Sequence, residues 1–223
     1  MINYILWAAI GFISGSVMYS YIVPKILFKK DITKISKDGN PGCGNVFTCI
    51  GVPCGILCLL LELAKGAIPV WYAMRFLSPE HIMFAPVLAA PVMGHAFSPM
   101  LRHRGGKAIA VTFGTFIGIF PQMLMLFWLA APLIIFSTVI RICPHSMRVM
   151  SSYIVMFICT VMFEHNKAAW LGAFIIAAVV IFKHYGDFVQ REKGQTDIYI
   201  LSHRLYHKET PEYNKENPEI DQA

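Results

Sequence analysis

Charged residues are scarce in this chain: Asp, Glu, Lys and Arg together make up 14% of its 223 residues. Soluble domains carry roughly 25% of such residues. Apolar residues account for 56% of the chain, and the mean hydropathy is +0.56. This composition excludes a disordered chain, a coiled coil and an ordinary water-soluble globule. It predicts an all-α fold, a polytopic bundle of membrane-spanning helices.

The cysteines show no spacing typical of a metal site or a disulfide framework. None of the six forms a Cys-x-x-Cys pair, and most lie in apolar runs. We therefore expect plain buried thiols, and neither a metal nor a cofactor. The N-terminus has no basic stretch before its first apolar run, so we expect that run to be retained as a span and not removed as a signal peptide.

Predominantly apolar runs recur along the chain, and about 20 such residues are enough to cross a bilayer. They cover residues 4–23, 46–77, 82–97, 108–140, 149–163 and 168–182. As one helix, residues 108–140 would be about 50 Å long, whereas the hydrocarbon core is about 30 Å thick. We therefore predict two helices that meet near Pro121. The result is about seven spans in a domain of residues 1–195, followed by a polar tail of residues 196–223.

Basic residues lie mostly on one side of the predicted bundle. If the N-terminus is outside, the loops after the first, third and fifth spans and the tail hold 16 of the 19 basic residues. Cytoplasmic loops carry such an excess of Lys and Arg, so the tail is predicted to be cytoplasmic. The net charge of +6 is then explained by these loops, and nucleic acid is not an expected partner.

A glycine-rich loop, DGNPGCGN, occupies residues 38–45 on the predicted cytoplasmic side. Tight glycine turns leave backbone N–H groups free, and such concave loops bind phosphate or other oxyanions. The candidate substrate-binding residues in this loop are Asp38, Gly39, Asn40, Gly42 and Asn45. The alternative is an ordinary glycine-rich turn.

A second segment, residues 94–110, reads GHAFSPMLRHRGGKAIA. Its basic residues surround a Gly-Gly turn at the start of the next predicted helix, and helix N-termini attract anions. The candidates here are His95, Arg104, Gly105, Gly106 and Lys107, in a phosphate site at the membrane surface. The alternative is flanking positive charge that contacts lipid headgroups.

Two further polar features lie at or in the spans. KHYGD, residues 183–187, would place the candidate catalytic residues His184 and Asp187 on one helical face if the last helix continues that far. The alternative is an interfacial helix end. Glu62 and Lys65 have the spacing of a buried ion pair. The predicted topology places the three motif loops on the cytoplasmic face, where one site open to lipid would suit an amphipathic substrate.

The motifs GNPGCGNV, ELAKG, GHAF, GGKA and HYGD occur in this order along the chain. In order and spacing they resemble the bacterial acyl-phosphate:glycerol-3-phosphate acyltransferase family, PlsY-type membrane enzymes with seven spans. The resemblance extends to about Gly194. It implies transfer of a fatty acyl group from acyl phosphate to the 1-hydroxyl of glycerol 3-phosphate, which forms lysophosphatidic acid.

The resemblance also implies roles for individual residues. Gly105, Gly106 and Lys107 would form a phosphate-binding turn, and the residues that orient substrate or pass protons would be His95 and His184. The remaining implied roles are a substrate contact for Ser151 and a wall of the site formed by Asn45 and the turn at Gly42. The implied partners are an acyl phosphate donor, a small hydroxyl acceptor and the lipid bilayer.

Four positions depart from the family pattern. Asp38 stands where the family has Ser, Thr48 where it has Arg, and Gly186 and Asp187 where it has Glu and Asn. Lost positive and added negative charge disfavour a dianionic acceptor. One alternative is therefore a divergent member that acylates a neutral or cationic acceptor, an amino alcohol or amine. A further alternative is a non-enzymatic lipid-binding protein or a transporter.

Overall fold

The computed structural model describes residues 1–190, 196–200 and 203–208, and helices dominate it. The helices are α1 (Ile2–Ser16), α2 (Tyr19–Leu27), α3 (Ile32–Ile35), α4 (Cys43–Cys49), α5 (Val52–Ala73), α6 (Phe84–Ala96), α7 (Ile109–Ile119), α8 (Met125–Thr138), α9 (His145–Phe163) and α10 (Lys167–Gln190), with a 3-10 turn at Pro99–Leu101. The strands are β1 (Ile140–Cys143), β2 (Thr196–Ile200) and β3 (His203–Lys208).

The described chain contains five helical segments long and apolar enough to cross a membrane. They are Ile2–Leu27, Val52–Ala73, Phe84–Leu101, His145–Phe163 and Lys167–Val189. Two shorter apolar helices, Ile109–Ile119 and Met125–Thr138, complete the set. The seven segments follow the predicted order, which confirms the helical membrane bundle, and the chain is a multi-pass membrane protein.

The first span is not one continuous helix, as the uncharged run 4–23 predicted. Helix α1 ends at Ser16, Val17 is extended, and α2 begins at Tyr19. The ammonium of Lys65 donates a 2.6 Å hydrogen bond to the carbonyl of Val17. A break at membrane depth requires partners for the freed backbone groups, and Lys65 supplies one.

Three other predicted boundaries are wrong. Residues 46–77 do not form one run, because Gly51, with φ +131°, separates α4 from α5. Helix α9 begins at His145 and not at residue 149. Helix α10 continues beyond residue 182 to Gln190, so KHYGD is helical and its His and Asp share a face. The predicted break near Pro121 is confirmed, since α7 ends at Ile119.

The start of the predicted polar tail contains two strands that the sequence did not reveal. β2 pairs antiparallel with β1, and β3 pairs antiparallel with β2. Because β1 lies between α8 and α9, the chain after α10 returns to this part of the molecule. Residues 191–195, 201–202 and 209–223 lie outside the described residues, and so do the predicted domain boundary at residue 195 and the end of the tail.

Close backbone contacts hold the spans together. A Cβ at Gly15 would overlap the backbone of Pro91 where α1 packs on α6. A Cβ at Gly114 would overlap the backbone of Leu63 where α7 packs on α5. Small residues permit this approach between membrane helices. These contacts fix the positions of α5, which carries Glu62, and of α6, which carries His95. They also fix α7, which begins just after Lys107.

Candidate functional site

A cavity of about 220 Å³ lies where the predicted motif loops meet. The predicted site residues that line it are Asp38, Asn40, Gly42, Asn45, His95 and Lys107. Glu62, Cys43 and His145 also line it. The structure therefore brings together the loop 38–45, the end of α6 and the start of α7.

The loop 38–45 is held by its own polar side chains. Oδ1 of Asp38 accepts a 2.6 Å hydrogen bond from the Asn45 side chain and a 3.1 Å bond from the backbone N–H of Asn40. The Asn45 amide also donates to the carbonyl of Asn40. Gly39 has φ +64°, a conformation that glycine adopts readily. Gly39 therefore shapes the turn and does not line the cavity.

Lys107 joins three segments through its ammonium. Nζ lies 3.0 Å from Oδ2 of Asp38 and also pairs with Oδ2 of Asp187 on α10. These three side chains are partly buried, with 20–24% of each exposed. The glycine-rich loop, the Gly-Gly-Lys turn and the end of α10 therefore lie at the same end of the bundle.

Electrostatics favour the charged forms of the Asp38–Lys107 pair. Burial opposes ionisation of Asp38, but hydrogen bonds from Lys107, Asn45 and Asn40 outweigh it, and the pKa of Asp38 is below its usual value. Burial likewise works against the Lys107 ammonium. The carboxylates of Asp187 and Asp38 more than compensate, and the pKa of Lys107 is raised.

His95 belongs to a buried polar network at the inner wall of the cavity. Its Nδ1 lies 2.9 Å from Nζ of Lys65 and 3.1 Å from Oε2 of Glu62. Glu62 and Lys65 form a 2.6 Å ion pair, as their spacing predicted, and both are almost fully buried. Oε1 of Glu62 also accepts hydrogen bonds from the N–H and hydroxyl of Ser20. The network fixes the position of the His95 ring.

The glycines of the Gly-Gly-Lys turn are required by their contact with His95. A Cβ at Gly106 would overlap Nε2 of His95, and a Cβ at Gly105 would overlap the His95 carbonyl oxygen. Both glycines are buried. The turn therefore packs directly against the imidazole, and its role in phosphate binding stays a prediction.

Two further histidines meet beside Lys107. The rings of His145 and His184 have centroids 6.1 Å apart. Nδ1 of His184 lies 2.8 Å from the Val180 carbonyl, so Nδ1 carries a proton that it donates there. Nε2 of His184 is buried and has no hydrogen-bond partner among the described residues. His145 was not among the predicted site residues. It lies at the first turn of α9, and its place between Arg141 and Arg148 in a basic loop was the signal that could have identified it.

Seven predicted residues do not themselves line the cavity: Gly39, Arg104, Gly105, Gly106, Ser151, His184 and Asp187. Arg104 is exposed in the turn before the two glycines. Ser151 lies six residues beyond His145 on α9, which at about 100° per residue places it on a different helical face. Thr48 also lies outside the cavity, and its hydroxyl donates to the Asn45 carbonyl within α4. In the part of the chain that the structure describes, no cluster of three His, Cys, Asp or Glu side chains could hold a metal ion.

Comparison with known proteins gives the family. The sequence profile of the glycerol-3-phosphate acyltransferase family matches residues 5–194. The chain belongs to this family. The glycerol-3-phosphate acyltransferase of Staphylococcus carnosus (strain TM300) is 31% identical over 201 residues, which covers 86% of this chain and 95% of that protein. Glycerol-3-phosphate acyltransferase 1 of Thermotoga maritima is 43% identical over 118 residues, but this match spans only 51% of this chain and 56% of that protein.

Two solved structures share the fold of this family member. The glycerol 3-phosphate form of PlsY (YgiH), an integral membrane glycerol 3-phosphate acyltransferase, matches with a TM-score of 0.74 at 20% identity. The match covers 91% of this chain and 96% of PlsY. The lysophosphatidic acid form matches with a TM-score of 0.72 at 21% identity, over 86% of this chain and 92% of that one.

Proposed function

We propose that this protein transfers a fatty acyl group from acyl phosphate to the 1-hydroxyl of glycerol 3-phosphate, forming lysophosphatidic acid. Family membership supports this reaction, and so does the similarity to the glycerol-3-phosphate acyltransferase of Staphylococcus carnosus. The observation that carries the proposal is the meeting of three motif loops around Lys107, at a cavity that also holds His95 and Asn45.

The chemistry needs little more than positioning and charge stabilisation. An acyl phosphate is a mixed anhydride, so the acceptor hydroxyl can attack its carbonyl carbon directly. The bond from that carbon to the phosphate oxygen then breaks, and inorganic phosphate leaves. Holding both substrates in line and stabilising the developing oxyanion can supply most of the rate. No covalent enzyme intermediate is required.

We assign Lys107 to a substrate phosphate, since its ammonium faces the cavity. The hydroxyl proton passes to a histidine or to the donor phosphate itself. His95 and His184 are the predicted histidines, and His145 joins them because it lines the cavity beside His184. Asn45 and the turn at Gly42 form the wall. Arg104 and Ser151 lie outside the cavity, so we assign no direct step to them.

We further propose that the site faces the cytoplasm in the bacterial inner membrane, with the N-terminus outside. The loops after α5, α7 and α9 meet at the other end of the bundle, where Asn166 donates to the Pro79 carbonyl and Leu124 donates to Glu164. Loops therefore alternate between the two ends, and the positive-inside rule assigns the more basic end to the cytoplasm.

The proposal is tested by supplying purified protein in lipid nanodiscs with palmitoyl phosphate and labelled glycerol 3-phosphate. We expect labelled lysophosphatidic acid and one equivalent of inorganic phosphate, with no product from palmitoyl-CoA. The two carboxylates on Lys107 favour a second candidate, a neutral or cationic acceptor, so glycerol and ethanolamine are run in parallel. Acylation of these compounds alone would overturn glycerol 3-phosphate as the acceptor.

A further inference from the structure

The ammonium of Lys107 is already bound on two sides. Oδ2 of Asp38 is 3.0 Å from Nζ, and Asp187 approaches from α10. Asp38 cannot swing away freely, because its other oxygen accepts hydrogen bonds from Asn45 and Asn40. Two carboxylates and one ammonium leave this cluster with a formal charge of −1.

Among the described residues, a single lysine or arginine side chain is available to a substrate phosphate in the cavity. Lys107 is the only Lys or Arg that lines it within the described part of the chain. Glu62 also lines the cavity, but its charge is neutralised by Lys65, which does not line the cavity. A substrate phosphate must therefore share or take the ammonium that Asp38 and Asp187 hold.

We propose that Asp38 and Asp187 set the affinity of the site for phosphate by competing with the substrate for Lys107. This inference rests on the proposed function and deepens it. The two residues are specificity-determining, and neither transfers a proton in the reaction. The phosphate concerned belongs either to the acceptor or to the acyl phosphate donor, and both carry the same chemistry.

The side-chain geometry offers variants that remove charge and keep shape. In Asp38→Asn, the remaining oxygen can still accept from Asn45 and Asn40, so the loop 38–45 keeps its hydrogen bonds. Asp187→Asn changes one oxygen of the partly buried Asp187 carboxylate to an amide. Asp187→Glu keeps the charge within reach of Lys107. Glu80→Gln removes one negative charge from the opposite end of the bundle and serves as the matched control.

The test is the KM for glycerol 3-phosphate and for palmitoyl phosphate in each variant, measured beside kcat. When a competing carboxylate is removed, the Lys107 ammonium can donate one more charge-assisted hydrogen bond to the substrate phosphate. Such a bond corresponds to roughly a ten-fold change in affinity. We expect each Asn variant to lower the KM of one substrate about ten-fold, with the change in KM and not in kcat. Asp187→Glu is expected to restore the original KM, and Glu80→Gln to leave it unchanged. The substrate that responds identifies which phosphate Lys107 holds.

A large fall in kcat at constant KM in Asp187→Asn would overturn the inference, since Asp187 would then act in the chemical step. Unchanged KM values in the double variant Asp38→Asn/Asp187→Asn would overturn it as well. If the original protein does not acylate glycerol 3-phosphate, the proposed function fails and the inference is decided by binding. Calorimetric titration with inorganic phosphate should then show about ten-fold tighter binding to the double variant, and equal affinities would contradict the inference.

Discussion

The imidazole of His95 lies against Gly106 so closely that a Cβ at position 106 would overlap Nε2. A flexible side chain could move aside, but His95 is buried and its Nδ1 is held by Lys65 and Glu62. The Gly-Gly-Lys turn and the buried network of His95, Glu62 and Lys65 therefore cannot move independently of each other. A change in the turn must displace either the imidazole or Lys107.

Gly106→Ala is accordingly expected to lower kcat/KM at least ten-fold, and overpacking costs about 1–3 kcal/mol of stability. Gly186→Ala is the matched control, since a Cβ there meets nothing within 4 Å. On a helix, that change should preserve or slightly raise the unfolding temperature. Equal kcat/KM in the two variants would contradict the close contact at Gly106.

Lys107→Ala is expected to abolish product formation while the protein remains folded, because Lys107 is the lysine that faces the cavity. Product is measured as lysophosphatidic acid, and folding is checked by the thermal unfolding curve in detergent. Lys167→Ala, at the opposite end of the bundle, should retain full activity. Turnover by the Lys107 variant would mean that the phosphate site lies elsewhere.

Glu62→Gln should destabilise the protein more than any other single change at the site. Removing one partner of a buried ion pair leaves an uncompensated charge and typically costs about 3–5 kcal/mol. The double variant Glu62→Gln/Lys65→Met removes both charges and should recover much of this loss. Unfolding temperatures measured in one detergent give the comparison, and a double variant less stable than the single one would refute the pairing.

The Asp38–Lys107 pair should be insensitive to pH across the neutral range. Asp38 has a pKa below its usual 3.8, so its contribution to stability is present above that pH and is lost as pH falls through the lowered pKa. Lys107 has a pKa above 10.5, so its contribution is present below that pH and is lost as pH rises through the raised pKa. The difference in unfolding temperature between the original protein and Asp38→Asn should therefore stay constant between about pH 5 and 9. A difference that varies within that window would show that the pair titrates there.

The predicted orientation can be checked with C-terminal reporter fusions. A fluorescent protein fused after residue 223 should fold and fluoresce, whereas alkaline phosphatase at the same position should be inactive, because the tail is predicted to be cytoplasmic. Fusions within the loop 78–82 should give the reverse pattern. Active phosphatase at the C-terminus would place the Lys107 cavity outside the cell.

The sequence predicts the bundle well because burial in lipid imposes a local rule. A span must be mostly apolar along its length, so apolar runs predict the helices and Pro121 predicts the break between α7 and α8. The break at Val17 could not be predicted in this way. Neither Pro nor a charge marks the run 4–23, and the group that stabilises the break is Lys65, 48 positions along the chain.

The end of α10 and the small sheet were missed for a related reason. Polar residues in KHYGD mark the membrane boundary, but a helix can continue past it, and α10 extends to Gln190. Pairing of β1 with β2 joins segments far apart in the chain, such as Ile140 with Ile200. Short strands of this kind carry little local signal, since their partners determine them.

In the candidate site, too, local motifs could be predicted from the sequence, whereas contacts between distant residues could not. Motifs identify Asn45, His95 and Lys107, and the structure places all three at one cavity. The Asp38–Lys107–Asp187 cluster was not predicted, because charge at separate positions does not disclose which partner it meets. His145 and Ser151 lie on different faces of α9, and only the face with His145 is turned to the cavity. The start of α9 at His145 was not predicted from the sequence, so that face could not be identified. Their roles in the reaction stay predictions.

The hydrogen bond from Lys65 to the Val17 carbonyl also bears on biogenesis. Alone in lipid, α5 would carry Glu62 and Lys65 without the Ser20 and Val17 groups that satisfy them. Entry of such a helix by itself is expensive. The first span and α5 should therefore enter the bilayer together as a helical hairpin. The broken first span, α1 and α2, would stay next to the translocon until α5 has been synthesised.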